Sequence, residues 1–533
     1  MQDRISRLKK KLSEEKRFVS IDQARIITRI FKETEGEPRA IQRAKSFRAC
    51  CKELPLAIDP DELIVGNRTH GRRAGVIFPE AGINWLEKEI KNLPYREQDR
   101  FEVRKEDVDL FYDEIVPFWK GKTLEDSIKT GNLGQEIKRT EKVLKINQKD
   151  HAQGHIIPDV QGWLESGPAG LLIKFQTALR QELDEKKKTF LESVCISLEG
   201  SLIFIRRYSD LALQLAGESL TEQTKAHFLE IAGICRKLTV KNPDTFHEAV
   251  QSVWFLFVLL HLESNASSFS PGRMDQYLFP FYKKDIKSGK ISSEKALEII
   301  SCLWLKFNEI VYLRNAHSAR YFAGFPIGFN VAIGGLDDKG QHAGNELTYL
   351  MLKAQEILGL PQPNLSARLG SESPVEFIDS CVRVISKGSG MPQIFNDDAI
   401  IPALENLGIS KKHALDYGIV GCVELSTQGN QLGWSDAAMF NMVKVIELAL
   451  NNGQCQITGQ QLGPETGYLY DFKSYEEFEK ALEMQMDYFI QIMMKLTSFV
   501  DKTHGQLLPS PFLSSVINDC LEKGLDVTAG GAH

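Results

Sequence analysis

The sequence predicts an α/β protein whose first half is mainly helical. Its 533 residues exceed one simple core, and such a chain forms several domains or one large α/β barrel with a helical surround. Long Glu/Lys/Leu-rich runs with helical periodicity fill residues 172–240. From about residue 310, short strand-type runs alternate with helical ones, which is typical of an α/β sheet or barrel.

The first half contains three clear helical segments besides its long central runs. Residues 2–18 form a basic amphipathic segment, and residues 21–36 place apolar side chains at helical spacing. The apolar stretch 253–262 contains a histidine and is much shorter than the roughly twenty residues of a membrane span. We therefore expect a buried helix there, beginning at Pro243 after an Asn242 cap.

The second half offers strand candidates that alternate with helical segments. They are residues 329–335, 364–370 and 416–425, and helices are predicted over 374–388 and 437–453. The boundary between the two halves is a change of texture between residues 240 and 310.

Composition excludes several function classes. The net charge is −6 and no long basic run occurs, so nothing supports nucleic-acid binding. The N-terminus lacks the apolar segment of a secretory signal, and no membrane span is predicted. The nine cysteines are odd in number and include no C-x-x-C pair, which favours reduced thiols and a cytoplasmic location.

The stretch "YGIVGCVELSTQGNQLGW" (417–434) places a thiol and a carboxylate two residues apart. On a strand, Cys422 and Glu424 would face the same side and Val423 the other. A thiol beside a carboxylate could move a hydrogen and a proton at neighbouring atoms of one substrate. A structural cysteine beside a surface glutamate is the alternative from spacing alone.

Two histidines are further candidates. His151 and His155 have the spacing of helical metal ligands, but Gly154 and Pro158 oppose a helix and no third ligand follows. We expect a loop that brings His155 and Asp159 to a polar pocket, or a solvated loop.

The segment 261–282 collects polar side chains, including Ser267 and Ser268, directly after the apolar helix. A capped helix–loop–helix with an Arg–Asp pair is the alternative to a binding role. The adjacent cysteines Cys50 and Cys51 lie in a charged helical segment and are expected to be inert.

Several stretches in this order resemble the glycyl radical enzymes, the pyruvate formate-lyase superfamily. They are "DELIVGN" (61–67), "FPE" (78–80), "GHIIPD" (154–159), "ESNASSFSPGRMDQYLFPFY" (263–282), "LPQPNLSAR" (360–368), "GMPQIFNDDAIIPAL" (390–404), "GIVGCVE" (418–424) and "GWSDAAMFN" (433–441). The chain is more similar to the branch of diol and glycerol dehydratases and choline lyases, because Val423 stands where the formate-lyases proper have a second cysteine.

The resemblance implies a ten-stranded α/β barrel of two antiparallel halves wrapped in helices. Residues 1–240 would supply mainly the helical surround, and residues 241–533 the first part of the barrel with a thiyl loop near Cys422. It also implies a homodimer, an anaerobic metabolism and a radical-SAM activating enzyme, with no bound cofactor besides the glycyl radical.

Roles for individual residues follow from the same resemblance. Cys422 would take a hydrogen atom from the substrate as a thiyl radical, and Glu424 would be the general base. His155, Asp159 and Asp436 match positions that bind the substrate or protonate the leaving group. Ser267, Ser268, Phe325 and Phe395 are expected to line a pocket of mixed polarity for a small hydroxylated substrate, and no metal is expected.

The sequence also departs from the pattern of these enzymes. Asn265-Ala266-Ser267-Ser268 replaces N-G-H-S, which puts glycerol and propanediol in doubt, and Leu425 replaces a proline. No R-V-x-G-Y motif, whose glycine stores the radical, occurs in the chain. We therefore expect a truncated dehydratase or lyase, a half that acts with a separate glycyl-radical subunit, or an inactive remnant with a binding role. An ordinary cysteine enzyme with Cys422 as nucleophile is a further alternative.

Overall fold

The computed structural model describes residues 2–324 and 326–532. Short helices and strands come first in the chain. They are α1 (Gln2–Glu14), β1 (Phe18–Ser20), α2 (Asp22–Glu33), α3 (Arg39–Glu53), β2 (Ala74–Val76), α4 (Asn84–Glu89), α5 (Lys105–Leu110), α6 (Val116–Trp119), α7 (Leu124–Thr130), α8 (Gly134–Thr140) and β3 (Leu144–Ile146). β1 and β2 pair in parallel, so this region is not purely helical.

Long helices occupy the middle of the chain, as the periodic runs predict. They are α9 (Val160–Gln181), α10 (Glu185–Gly217), α11 (Glu222–Leu238), α12 (Phe246–Glu263), α13 (Met274–Tyr277), α14 (Phe279–Lys287), α15 (Ser293–Phe307) and α16 (Ala316–Phe322). α10 packs along α3, α9 and α11. None of the helices in the described ranges is long and apolar enough to cross a bilayer.

The apolar helix α12 is buried along its whole length, but it starts later than the sequence predicts. Thr245 is its N-cap, and its side chain accepts the amide of Glu248, whose carboxylate accepts the amide of Thr245. This reciprocal capping satisfies two free donors at once. It therefore fixes the start at Phe246, and the predicted start at Pro243 after Asn242 is wrong.

The last part of the chain alternates strands and helices. The elements are β4 (Asn330–Gly334), α17 (Glu346–Leu358), β5 (Asn364–Leu369), α18 (Val375–Val384), β6 (Gln393–Asn396), α19 (Asp397–Asn406), α20 (Lys411–Leu415), β7 (Gly418–Val420), β8 (Glu424–Ser426), β9 (Ala438–Phe440), α21 (Met442–Leu450), α22 (Tyr475–Leu507), α23 (Pro511–Ser514) and α24 (Cys520–Lys523). The predicted helix 437–453 is shorter than expected, because its first residues form β9 and pair antiparallel with β3.

A three-stranded parallel sheet of β4, β5 and β6 lies beside the hairpin of β7 and β8. The fully buried Arg368 on β5 connects them. Its guanidinium donates to both carboxylate oxygens of Asp397 at 2.9 Å and to the carbonyl of Tyr417 at 2.9 Å. This pairing offsets the cost of burying the cation, and the bond to Tyr417, the residue before β7, holds the hairpin against the sheet.

Candidate active site

The predicted strand 416–425 is in fact a tight hairpin with Cys422 at its turn. β7 and β8 pair antiparallel from Gly418–Ser426 to Val420–Glu424, which leaves Gly421, Cys422 and Val423 as the connection. The prediction that Cys422 and Glu424 face the same side of one strand is therefore wrong. Val423 is 61% exposed and does not enter an opposite layer. The two side chains meet because the chain reverses between them.

Glu424 folds back over this turn. Its Oε2 accepts the amide of Cys422 at 2.9 Å and the amide of Val423 at 3.0 Å. These bonds satisfy two donors that a three-residue turn leaves unpaired, and they fix the carboxylate. The second oxygen, Oε1, is 3.8 Å from Nε2 of His155 and takes no part in holding the turn.

The turn requires glycine at position 421. Gly421 has φ +56°, and a Cβ there would lie 2.7 Å from Oε2 of Glu424 and would also collide with the ring of His155. The carbonyl of Gly421 accepts from Nδ2 of Asn330 at 3.3 Å and from Nδ2 of Asn364 at 3.0 Å. These buried amides come from the first residues of β4 and β5, so the parallel sheet positions the thiol turn.

His155 reaches the turn from a loop and not from a helix. Its φ is +58°, and its amide donates to the carbonyl of Ser267 at 3.0 Å. The next residue, Ile156, forms a parallel bridge with Phe269, so the 151–159 loop lies along the polar turn. Burial lowers the pKa of the His155 imidazole, against the opposing charges of Glu424 and Asp436. The ring is therefore neutral near pH 7, and its buried Nδ1 has no partner among the described residues.

A cavity of about 680 Å³ opens at this turn, within the size range of small-molecule sites. Of the predicted residues, those that line it are Cys422, Glu424, His155, Ser267, Ser268 and Asp436. Asp436 is oriented by Asn147, whose Nδ2 donates to its Oδ1 at 2.9 Å. The structure thus brings together residues that are far apart in the chain.

Burial, followed by the charges of Glu424 and Asp436, raises the pKa of the Cys422 thiol. Cys422 is nevertheless exposed, whereas the other eight cysteines are buried. The thiol therefore keeps its S–H bond at neutral pH, and Cys422 lines the cavity. A protonated thiol is better suited to giving up a hydrogen atom than to nucleophilic attack, which needs the thiolate.

Two predicted residues of the described ranges, Asp159 and Phe395, are not part of this lining. The carboxylate of Asp159 caps α9 and accepts the amide of Gly162 at 2.9 Å, because the helix begins at the next residue. Phe395 on β6 is 9% exposed and packs in a separate apolar cluster that includes Ile401 and Tyr417. Phe325 lies outside the described residues.

Other lining residues escaped the sequence reasoning, among them Arg68, Asn265, Tyr312 and Arg314. Arg68 directly follows the "DELIVGN" stretch, and Asn265 lies inside the recognised stretch 263–282 but was given no role there. Tyr312 and Arg314 lie in a segment between α15 and α16 that carries no motif. His151 also lines the cavity, where its Nδ1 lies 2.9 Å from Oδ1 of Asp150.

The interpretation of the histidine pair as metal ligands finds no support in this geometry. Within residues 2–324 and 326–532, no three His, Cys, Asp or Glu side chains are grouped so as to hold a metal ion.

Comparison with known proteins identifies the family of this chain. The sequence model described as "PFL-like: Pyruvate formate lyase-like" matches residues 1–533. The chain belongs to the pyruvate formate lyase-like family. The resemblance seen in the motifs and the predicted helix-rich α/β fold class are thereby confirmed.

Individual members of the family are similar over nearly the whole chain. The (2S)-3-sulfopropanediol dehydratase of Klebsiella oxytoca is 32% identical over 99% of this chain and 66% of its own length. The glycerol-bound glycerol dehydratase of Clostridium butyricum is 35% identical with a TM-score of 0.95, over 100% of this chain and 68% of its own. A glycyl radical enzyme from Archaeoglobus fulgidus is 35% identical with a TM-score of 0.94, over 99% of this chain and 69% of its own. The chain thus spans about two thirds of the length of these relatives.

Proposed function

We propose that this chain supplies the hydrogen-transferring thiol and the general base of a glycyl radical eliminase that acts on a small hydroxylated substrate. The observation that carries the proposal is the hairpin turn, where the exposed Cys422 and the free oxygen of Glu424 face one cavity. The dehydratases among the relatives act on a sulfopropanediol and on glycerol, which supports a hydroxylated substrate class.

The radical itself is proposed to come from outside these 533 residues. A glycyl radical, when present, supplies a site that accepts a hydrogen atom from a thiol. Cys422 fits such a group, because it is exposed and holds its proton at neutral pH. A radical-SAM activating enzyme would install the radical on a separate or further polypeptide segment.

Cys422 and Glu424 then act on the same carbon–hydroxyl unit. Sγ of Cys422 takes the hydrogen atom from the hydroxyl-bearing carbon, so an S–H bond forms and a C–H bond breaks. Oε1 of Glu424 takes the hydroxyl proton, because Oε2 is occupied by the two turn amides. Positioned groups of this kind avoid the cost of bringing the reactants together in solution.

Loss of the leaving group completes the elimination. The bond from the neighbouring carbon to the leaving group breaks, and the first carbon becomes a carbonyl. We assign to His155 the transfer of the hydroxyl proton to the departing group, because its Nε2 is 3.8 Å from Oε1 of Glu424. Asp436 lines the same cavity. The product radical takes its hydrogen atom back from Cys422, so the net reaction removes one molecule of water, amine or a similar group.

Product analysis of the activated assembly tests this proposal. The chain would be combined anaerobically with a glycine-bearing polypeptide and a radical-SAM activating enzyme, and incubated with a panel of small vicinal diols and amino alcohols. We expect one of these two substrate classes to give a carbonyl product. The product should form more slowly when deuterium replaces hydrogen on the hydroxyl-bearing carbon. A glycyl radical signal in electron paramagnetic resonance without any carbonyl product contradicts the proposal.

A further inference from the structure

One buried arginine on the cavity wall has no carboxylate partner among the described residues. The Arg68 side chain is only 4% exposed, and its Nη2 donates to the carbonyls of Val311 at 2.8 Å and Ala74 at 3.2 Å. Within the described residues, the Arg68 side chain has no other hydrogen-bond acceptor than these two carbonyls. Nε and Nη1 therefore remain for another acceptor, and the residue lines the cavity that contains Cys422.

Other buried arginines of this protein are paired differently. Arg43 bonds to a carboxylate oxygen of Glu80 at 2.7 Å, and Arg368 forms a forked pair with Asp397 at 2.9 Å. Such pairing offsets the cost of removing a cation from water. Arg68 lacks it, and burial lowers the pKa of its guanidinium to about 9.

We propose that Arg68 is the subsite for an anionic group of the substrate, a carboxylate or a sulfonate. The inference rests on the proposed function, since it takes the cavity to be the substrate site. Nε and Nη1 of a guanidinium belong to its planar fork of donors, which matches the oxygens of such a group. An anion there would supply the missing counter-charge, while the carbon–hydroxyl unit lies at Glu424 in the same cavity.

The surrounding charges support this assignment. Arg314 lines the same cavity three residues after Val311, whose carbonyl Arg68 contacts, and it adds positive charge to this part of the wall. Glu424 and Asp436 place negative charge by the thiol turn, as their common effect on the pKa of Cys422 shows. A substrate with an anionic end at Arg68 and a neutral hydroxylated end at Glu424 fits these two groups of the cavity wall.

Binding to the unactivated chain tests the inference without any radical. Isothermal titration calorimetry would compare glycerate with glycerol, which differ in the charge of one end. We expect glycerate to bind at least about tenfold more tightly, with saturation below about 10 mM, a decade above the weak end of ordinary KM values. Arg68→Gln should weaken glycerate about 10- to 100-fold and leave glycerol within a few-fold.

A matched control separates charge recognition from a structural role. Arg207 also donates only to backbone carbonyls among the described residues, those of Cys51 at 2.8 Å and Leu54 at 2.7 Å, and does not line the cavity. Arg207→Gln should leave the preference for glycerate unchanged. Arg68→Lys keeps the positive charge and should retain part of the preference, so it serves if Arg68→Gln does not fold.

Three results would overturn the inference. They are equal or tighter binding of glycerol by the unsubstituted chain, no saturable glycerate binding, and an equal loss of both ligands in the Arg68 variants. Hydroxypropanesulfonate in place of glycerate tells a sulfonate subsite from a carboxylate one. Because binding needs no radical, failure of this test leaves the thiyl chemistry intact, and failure of turnover leaves the anion preference intact.

Discussion

The adjacent pair Cys50 and Cys51 and the single Cys422 show how differently one fold treats the same side chain. The pair lies inside α3, fully enclosed, and burial raises the pKa of both thiols well above the ordinary value. Cys422 is exposed on a three-residue turn that lines a cavity, and the carboxylate of Glu424 beside it accepts hydrogen bonds from the amides of Cys422 and Val423. All three thiols stay protonated at neutral pH, so their acidity does not distinguish them. Cys422 differs from the pair in its exposure to solvent and in the carboxylate beside it.

Among the substitutions that keep the Cys422 thiol, the largest effect is expected from removing the charge beside it. Glu424→Gln keeps an oxygen that can accept the amides of Cys422 and Val423, so the turn should persist. Loss of a general base lowers turnover by ~10²- to 10⁴-fold. Steady-state rates of the activated assembly measure this. An unchanged rate would show that Glu424 only holds the turn.

Alanine substitutions at two glycines test the geometry of the turn. Gly421→Ala and Gly408→Ala both place a Cβ at positive φ, but nothing lies within 4 Å of a Cβ at Gly408. Each should cost about 1–2 kcal/mol in the free energy of unfolding from backbone strain. Only Gly421→Ala also displaces His155 and Glu424, and a misplacement of about 1 Å lowers turnover by ~10²-fold.

Denaturant unfolding and turnover of both glycine variants provide the measurement. Equal turnover in the two variants would contradict the view that the close approach of Gly421 to these side chains matters for catalysis.

Alkylation tests whether solvent exposure or thiol acidity decides which cysteine reacts first. Cys455 is buried, and hydrogen bonds from Thr458 and from Lys444 at 3.1 Å lower the pKa of its thiol to about 6. Iodoacetamide should nevertheless modify Cys422 first in the folded chain. Since the pKa of Cys422 is raised, its alkylation rate should rise as pH increases above about 7. Mass spectrometry of peptides locates the label, and earlier labelling of Cys455 would contradict this ranking.

Substitutions of the enclosed pair Cys50 and Cys51 should affect turnover least. Their effect should instead appear in the stability of the fold. Cys51→Ser buries a hydroxyl in an apolar site and should lower the free energy of unfolding by about 1–3 kcal/mol. Cys422→Ser, at an exposed turn, should change it by less than about 0.5 kcal/mol. Urea unfolding of both variants measures the difference. Equal losses would show that the Cys422 turn is as tightly packed as α3.

The sequence was a good guide wherever an element was long and periodic. The helical runs predicted over residues 172–240 fall in α9, α10 and α11, and the predicted strand runs 329–335 and 364–370 contain β4 and β5. The hairpin was not foreseen, because β7 and β8 have three residues each and resemble one continuous strand. Cys422 and Glu424 were nevertheless chosen correctly as neighbours, since the motif resemblance does not depend on the strand assignment.

Local structure explains why one residue was wrongly predicted for the cavity and another was missed. Asp159 precedes a helix by one residue, and its capping bond to Gly162 competes with any role in the pocket. Arg68 was missed because its partners, Ala74 and Val311, are backbone carbonyls, one of them far along the chain. Pairings with carbonyls leave no charge pattern in a sequence, so only the folded structure shows which groups this cation contacts.

Substitution of Cys422 itself is the most direct test of the account. The activated assembly would be prepared with Cys422→Ser and, as a control, with Cys50→Ser, and the glycyl radical would be quantified by electron paramagnetic resonance. We expect both to carry the radical signal, the control to turn over substrate, and Cys422→Ser to form no detectable product. Turnover by Cys422→Ser close to that of the unsubstituted assembly would contradict the assignment of Cys422 as the hydrogen-transferring thiol.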